Sequence, residues 1–203
     1  FDPVRYISNY STGKMGYALA RQARLLGAQV TLVSGPTYLS KPPGVNLIQI
    51  ETALQMRDAF MRCYAEADII IKAAAVADYR PKLKAKDKIK KKDGDLSLEL
   101  ERNPDILAEL GQQKGERVLI GFAAETQDVL ANATEKIRKK NLDFIAANDL
   151  TQPGAGFGCD TNVVNLLFAN GERQELSQMS KEEVAREILL AAAKILEQRS
   201  MGR

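Results

Sequence analysis

The stretch over residues 68–92 constrains the fold most strongly, because it joins three different kinds of sequence. Residues 68–75 form an apolar run with three consecutive isoleucines, which is typical of a strand buried on both faces of a parallel sheet. Asp78 is the first acidic side chain beyond that strand, and seven lysines follow within residues 82–92. Ligands of open α/β sheets bind beyond the carboxyl ends of the strands, so this stretch predicts a site for a polyanion.

The rest of the chain alternates between the periodicities of strands and helices. This order indicates βαβ units and predicts an α/β fold with a three-layer, Rossmann-like, mostly parallel sheet. Strands are expected at residues 29–34, 47–50, 96–100, 118–123 and 143–147, and helices at about 15–26, 52–65, 104–111, 128–140 and 181–198. Two late runs, 163–168 and 173–176, predict a hairpin that turns at Asn170 and Gly171 and forms an antiparallel edge.

Helix starts can be predicted from capping residues. Ser11 or Thr12 is expected to cap the first helix and Thr52 the second. Asn103 followed by Pro104 predicts the start of the third, since proline is favoured at the first helical position. Residues 180–183 have the pattern of a capping box at the start of the last helix.

Length and charge limit the classes of function. A chain of 203 residues fits a single domain, expected over residues 1–203, with a lysine-rich flap at about 79–95. Residues 82–92 carry a net charge of +6 although the whole chain carries +3, so the rest is acidic on balance. This local basicity disfavours a nucleic-acid partner, and no apolar run reaches the roughly 20 residues of a membrane span. The chain contains no histidine, which excludes histidine-based zinc sites and Ser-His-Asp triads.

Three further motifs have a functional and a purely structural interpretation. Residues 11–16, STGKMG, form either an anion-binding helix start or a plain tight turn. The alternate lysines of residues 82–90 form either a flap that closes over phosphates or a solvated edge protected by charge. The basic residues that close the helix at 136–140 could bind phosphate or simply complement the helix dipole, and Phe122 is core by its pattern.

Nine short motifs, in order along essentially the whole chain, resemble phosphopantothenoylcysteine synthetases of the bacterial, CTP-dependent type. The motifs are DPVRYISN (2–9), STGKMG (11–16), VTLVSGP (30–36), AAAVADYRP (73–81), KIKK (88–91), NPDIL (103–107), GFAAET (121–126), KIRKKNLDFIAAND (136–149) and GFGCDTN (156–162). Each motif is short, but nine in the same order form a highly specific pattern.

The resemblance implies a two-step ligase reaction. The carboxylate of 4′-phosphopantothenate attacks the α-phosphate of CTP, giving an acyl-cytidylate and pyrophosphate, and the amine of cysteine then displaces CMP. The family implies Mg²⁺ with the CTP, a cytoplasmic homodimer, and in many bacteria fusion to a flavin-dependent decarboxylase, which would hold the FMN. The family usually opens with a strand before the Asp-Pro motif; this chain begins at that motif, and we expect it to be a fragment of a longer fusion.

The resemblance also implies roles for individual residues. Asn9 is expected to stabilise the acyl-cytidylate, and Lys88 to close over the triphosphate and assist the cysteine step. Residues expected to bind the nucleotide are Lys72, Ala73, Ala74, Asp78, Lys88, Asn103, Pro104, Asp105, Ile106, Phe122, Lys136 and Lys140, where Phe122 becomes a stacking partner for the base rather than core. Residues expected to lie near the pantothenate are Gly13, Gly16 and Asn148.

Two other functions can be compared with this one. An NAD(P)-dependent reductase on a Rossmann sheet would need GxGxxG and an acidic residue at the end of the second strand, but the strand at 29–34 ends in Ser34 and Gly35. A nucleic-acid binder would need aromatic residues among its basic ones, and residues 82–92 contain none.

Overall fold

The computed structural model describes residues 1–91, 94–125, 129–149, 156 and 158–201. In chain order its elements are α1 (Lys14–Leu25), β1 (Thr31–Ser34), β2 (Asn46–Gln49), α2 (Ala53–Cys63), a 3₁₀ turn (Tyr64–Glu66), β3 (Ile69–Lys72), β4 (Tyr79–Pro81), β5 (Leu100–Arg102), α3 (Ile106–Gln112), β6 (Val118–Glu125), α4 (Val129–Lys140), β7 (Phe144–Asp149), β8 (Thr161–Phe168), β9 (Arg173–Ser180) and α5 (Lys181–Met201). Nowhere in the described chain is a helix long and apolar enough to cross a membrane.

The main sheet has five strands in the order β3-β6-β7-β8-β9. The first three run parallel, and β8 and β9 form an antiparallel hairpin at the edge that turns at Gly171, where φ is 89°. The predicted α/β fold with an antiparallel edge hairpin is therefore confirmed, and the sheet is best described as mixed. β1 and β2 form a separate parallel pair, and β4 and β5 a short antiparallel pair.

Helices cover both faces of the main sheet, so the fold has three layers. On one face, α1 and α5 pack over Val118 and Ile120 of β6 in the first core cluster. On the other face, α2, α3 and α4 pack over Leu119 of the same strand in the second core cluster. Successive residues of a strand point to opposite faces, which is why a nearly continuous apolar run supplies both clusters.

The strand at residues 68–75 is shorter than predicted and lies at an edge. β3 spans Ile69–Lys72 and, within the described chain, pairs with β6 alone. Ile70 is buried in the second cluster, whereas Ile69 and Ile71 pack against the first and keep some exposure. The isoleucines therefore pack on both faces of the sheet, as expected. Local sequence carries no information on how many strands pair with a given strand.

Two predicted caps are corrected and two are confirmed. Gly13, with φ of 80°, caps α1 in place of Ser11 or Thr12, and no side chain caps that end. Asp105 caps α3 by accepting from the Ala108 amide, whereas Asn103 was predicted, because Asn103 is engaged elsewhere. Thr52 caps α2 as predicted, in a capping box with Gln55, and the capping box predicted at residues 180–183 also forms.

The flap leaves the main body through the β4 and β5 pair. The strand predicted at residues 96–100 is corrected to Leu100–Arg102, which pairs with Tyr79–Pro81. Bends at 82–83 and 86–87 interrupt the extended arm that the alternating lysines suggested. Some predicted positions lie outside the described residues: residues 92–93 of the flap, the first residue of the helix predicted at 128–140, and residue 157 of the motif at 156–162.

Candidate functional site

The segment that follows β3 is held by two asparagine side chains. Asn9 donates from Nδ2 to the Ala75 carbonyl at 2.9 Å, and Asn103 donates from Nδ2 to the Ala77 carbonyl at 2.8 Å. The Asn103 amide also donates to the Asp78 carbonyl, and its Oδ1 accepts from Arg80. The structure therefore brings Asn9, Asn103 and Asp78 together around residues 73–78, at the carboxyl end of β3. Ala74 and Asp78 are exposed there, and Ala73 and Pro104 are half-buried.

A charged cluster lies at the same end of β3. Lys140, the last residue of α4, binds Asp105 at 2.9 Å from Nζ to Oδ2. Burial, reinforced by the positive charge of Lys140, lowers the pKa of Lys72, although Asp105 and Asp78 act in the opposite direction. Burial would raise the pKa of Asp105, but the hydrogen bonds from Lys140 and the Ala108 amide, together with the positive charges of Lys140 and Lys72, outweigh that effect and the pKa is lowered. Lys72 and Lys140 thus share this end of β3 with Asp105, which Lys140 binds, and with Asp78, and an anionic ligand placed here would meet both lysines.

A close contact between α3 and α4 positions Lys140. A Cβ at Gly111 would overlap the carbonyl oxygen of Lys140, so no other residue allows this approach. Asn141, whose φ is 51°, ends α4 and donates from Nδ2 to the Gly111 carbonyl at 2.9 Å. The half-buried Lys136 lies one helical turn before Lys140 on the same face of α4, as predicted.

The residues predicted for the pantothenate lie at the start of α1 and the end of β7. Gly13 adopts positive φ, and a Cβ at Gly16 would meet nothing within 4 Å, so there is open space beside this turn. Asn148 is buried near the end of β7. Lys14 connects the turn to the loop before β8, because its Nζ donates to the Gly158 carbonyl and to Asp160, both at 2.8 Å.

Two predicted nucleotide residues pack in or against the hydrophobic core. Ile106 is fully buried in the second core cluster, so its backbone is what could meet a ligand. Phe122 is half-buried and packs against the first cluster, on the face that also carries Met15 of α1. Its ring therefore lies on the opposite face of the sheet from α3 and α4.

The predicted flap residue Lys88 is exposed, and the backbone beside it is held by the first residues of the chain. Asp2 accepts from the Ile89 amide, and the Ala85 amide donates to the Phe1 carbonyl. Sequence reasoning singled out neither Asp2 nor Arg5, although both lie in a recognised motif. An aspartate directly before proline is a frequent start of a turn, and that signal could have identified Asp2.

The lowered pKa of the half-buried Lys72 leads to a pH-dependent prediction. Because the pKa of Lys72 lies below its ordinary value of 10.5, this side chain is partly neutral at alkaline pH in the free protein. A bound triphosphate favours the ammonium form and raises that pKa, so we expect binding at alkaline pH to take up protons. Calorimetry in two buffers of different ionisation enthalpy measures the uptake. Lys72→Met should abolish it and Lys84→Met, on the exposed flap, should not; equal heats in both buffers would contradict the assignment.

Comparison with known proteins supports one family. The family described as the DNA/pantothenate metabolism flavoprotein C-terminal domain matches residues 1–196. The chain is 52% identical over 198 residues to the coenzyme A biosynthesis bifunctional protein CoaBC of Bacillus subtilis (strain 168), covering 97% of this chain and 49% of that protein. The protein of the same name from Vibrio cholerae serotype O1 is 47% identical, with 93% of this chain and 48% of the relative covered.

Solved structures agree with the sequence comparison. The crystal structure of the C-terminal domain of a coenzyme A biosynthesis bifunctional protein CoaBC superposes with a TM-score of 0.82 at 46% identity, covering 97% of this chain and 91% of that one. The chain spans about half the length of the curated relatives it matches. With the family match extending over nearly all of its residues, the chain belongs to the DNA/pantothenate metabolism flavoprotein C-terminal domain family.

Proposed function

We propose that this domain is a phosphopantothenate–cysteine ligase that uses CTP. A carboxylate oxygen of 4′-phosphopantothenate attacks the α-phosphorus of CTP, and the bond to pyrophosphate breaks. The cysteine amine, having lost a proton, then attacks the acyl carbon of the acyl-cytidylate, and the bond from that carbon to the CMP oxygen breaks. The observation that carries the proposal is the cluster of Lys72, Lys140 and Asp105 beyond β3, in a chain of this family.

The charges of the cluster suit the first step. Lys72 and Lys140, with Lys136 one turn earlier on α4, would hold the triphosphate, and Lys88 would close over it from the flap. Phosphoryl and nucleotidyl transfer depend on positioning and on stabilising charge rather than on covalent participation by the protein. A chain without histidine can therefore carry out this chemistry with lysines and amides.

The remaining residues would orient the two substrates. Asp78 and Asn103 would contact the base or ribose at the end of β3, together with Ala73, Ala74, Pro104, Asp105 and the Ile106 backbone. Phe122 would approach the nucleotide from the face of the sheet that α1 covers. Asn9, one of whose Nδ2 hydrogens is bound by Ala75, retains a second hydrogen for an oxygen of the acyl-cytidylate. The open space beside Gly16 would admit the pantothenate, near Gly13 and Asn148.

Magnesium is proposed as part of the nucleotide substrate. Within the described residues, no three histidine, cysteine, aspartate or glutamate side chains are grouped to hold a metal ion. Mg²⁺ in nucleotide sites is held largely by phosphate oxygens and water, with at most one or two carboxylates, and does not need a dedicated protein cage. The residues therefore fit an ion that the triphosphate carries, which would neutralise part of the phosphate charge.

The organisation of the whole protein is also part of the proposal. The relatives named bifunctional suggest fusion to a second domain, which we propose to be the flavin-dependent decarboxylase that holds FMN. We propose a cytoplasmic homodimer with no nucleic-acid or membrane partner. The reductase alternative is not favoured, since β1 ends at Ser34 rather than at a carboxylate that could bind a ribose.

A single-turnover assay tests the proposal. The protein is mixed with CTP, Mg²⁺ and 4′-phosphopantothenate, and pyrophosphate release is followed with and without cysteine. We expect a burst of pyrophosphate without cysteine, and steady turnover with release of CMP once cysteine is added. Folded protein that releases no pyrophosphate under either condition would contradict the proposal for this domain alone, and a longer chain assayed in parallel would show whether preceding residues are required.

A further inference from the structure

The first five residues form a compact turn around one carboxylate. Oδ1 of Asp2 accepts from the Val4 amide at 2.9 Å and from the Arg5 amide at 2.8 Å. The side chain of Asp2 has no exposed surface. A buried carboxylate is costly unless it is paired and hydrogen-bonded, so its partners decide whether this turn is stable.

The second carboxylate oxygen connects this turn to the flap. Oδ2 of Asp2 binds the Arg5 guanidinium at 2.6 Å and accepts from the Ile89 amide at 3.2 Å. The same guanidinium donates to the Ile89 carbonyl at 3.0 Å. Asp2 and Arg5 together satisfy both backbone groups of the residue that follows Lys88, and we refer to Asp2, Arg5 and Ile89 as the flap anchor.

A second backbone contact holds the flap on the other side of Lys88. The Ala85 amide donates to the Phe1 carbonyl at 3.0 Å. The flap is thus fixed to the N-terminal turn at Ala85 and at Ile89, three residues before Lys88 and one after it. The side chain of Lys88 itself is exposed and remains available to a ligand.

The flap anchor also connects the flap to the strand end. Arg5 lies four residues before Asn9, whose side chain binds the Ala75 carbonyl beyond β3. The two residues with proposed catalytic roles, Asn9 and Lys88, therefore lie on segments that meet at Asp2. Arg5 holds the pKa of Asp2 well below its usual range, so this connection persists at neutral pH.

We propose that Asp2 is a positioning residue for the reaction, which holds the flap backbone at Ile89 so that Lys88 is presented to the triphosphate. This inference rests on the proposed ligase function and on the role of Lys88 within it. Asp2 contacts no reacting atom, and its effect is transmitted through Ile89. Displacing a charged group by about 1 Å can reduce a rate by about 100-fold, so a fixed flap backbone matters to the chemistry.

The substitution Asp2→Asn separates the turn from the anchor. The amide oxygen of asparagine can still accept from Val4 and Arg5, as Oδ1 does now. Its Nδ2 replaces the oxygen that binds Arg5 and Ile89, so donor would face donor at both contacts. Arg5→Met is a second variant, which removes the guanidinium and leaves the carboxylate. The matched control is Glu99→Gln, which removes an exposed ion pair with Lys82 at the flap base without touching the anchor.

Hydrogen exchange and kinetics test the inference together. We expect Asp2→Asn to speed exchange of the Ile89 amide at least about 10-fold and to lower kcat/KM for CTP by about 10- to 100-fold. In a Lys88→Ala background, Asp2→Asn should change kcat/KM by less than about 2-fold, because Asp2 acts through Lys88. Glu99→Gln should behave like the wild type. Arg5→Met removes the bond to the Ile89 carbonyl but keeps the bond from the Ile89 amide to Asp2, so it should lower kcat/KM less than Asp2→Asn does.

The outcomes separate this inference from the proposed function. The positioning role is wrong if the fold-reductions in kcat/KM caused by Asp2→Asn and Lys88→Ala multiply in the double variant. It is also wrong if Asp2→Asn leaves hydrogen exchange of the Ile89 amide unchanged. If the wild type releases no pyrophosphate, the proposed function fails, whereas exchange at Ile89 still reports whether Asp2 holds the flap. Circular dichroism shows whether each variant is folded like the wild type. A loss of rate in a folded variant then reports on the flap rather than on global unfolding.

Discussion

Asp143→Ala is expected to lower the free energy of unfolding by about 3–5 kcal/mol, since it breaks a buried ion network from one side. Asp143 is 7% exposed at the start of β7 and accepts from the Leu119 amide at 2.7 Å, from Lys114 at 3.1 Å and from Arg199. Alanine would leave two cations without their carboxylate and one amide without its acceptor. For a chain of this size the melting temperature should fall by roughly 6 to 20 °C, which calorimetry measures.

Two control variants show whether burial of charge is the cause. Glu135→Ala breaks an exposed pair with Lys139 within α4 and should leave the melting temperature close to that of the wild type. Asp143→Ala combined with Lys114→Met also removes one of the two cations that lost their carboxylate, and it should recover part of the lost stability. A double variant no more stable than Asp143→Ala alone would contradict the electrostatic explanation.

The same network explains why this end of the sheet could not be predicted from sequence. Arg199, near the end of α5, binds Asp143 and also the carbonyls of Glu116 and Arg117 before β6. These partners lie 56 to 83 residues apart in the chain. Periodicity identifies a strand or a helix from neighbouring residues, and it contains no information on ion pairs between distant elements.

The parts of the fold that were predicted correctly rest on local physics. The strand at Val118–Glu125, the hairpin turn at Gly171 and the capping box at residue 180 each depend on residues close in sequence. The predicted cap of α3 was wrong for a reason that lies outside its own segment. Asn103 was predicted as a cap from its own neighbours, but its side chain binds the carbonyl of Ala77, 26 residues earlier.

The candidate site, like the fold, was predicted where it depends on neighbouring residues and missed where it depends on distant ones. The carboxyl end of β3 was predicted as the ligand site from the isoleucine run and the lysines that follow, and Lys72, Asp78, Asn103, Asp105 and Lys140 do lie together there. The pattern did not reveal Asp2, because its partner in the flap is 87 residues away. Nor did it reveal that Gly111 brings α3 and α4 into contact behind Lys140. Contacts of this kind depend on the tertiary structure.

Asn9→Ala should slow formation of the acyl-cytidylate by about 10²- to 10³-fold under the proposed function, the cost typical of removing one donor to a developing negative charge. The Nδ2 of Asn9 donates one hydrogen to the Ala75 carbonyl at 2.9 Å, which fixes the orientation of the amide. The other hydrogen can bind an oxygen of the reacting centre without adding charge. Pyrophosphate release in a single turnover measures the step, and the dissociation constant for CTP should change by less than about 3-fold.

Two further variants separate the hydrogen-bond donor of Asn9 from the size of its side chain and from local folding. Asn9→Asp keeps the shape of the side chain but replaces the donor with an acceptor opposite the Ala75 carbonyl, so it should be at least as slow as Asn9→Ala. Ser8→Ala removes an exposed hydroxyl that donates to the carbonyl of Asn9. This variant should react at the rate of the wild type. Equal rates for Asn9→Ala and the wild type, with both proteins folded, would assign the stabilisation of the intermediate to another residue. Loss of CTP binding in Asn9→Ala would instead show that Asn9 holds the nucleotide-binding segment after β3 in place. Its bond to the Ala75 carbonyl lies in the segment on which the nucleotide is proposed to lie.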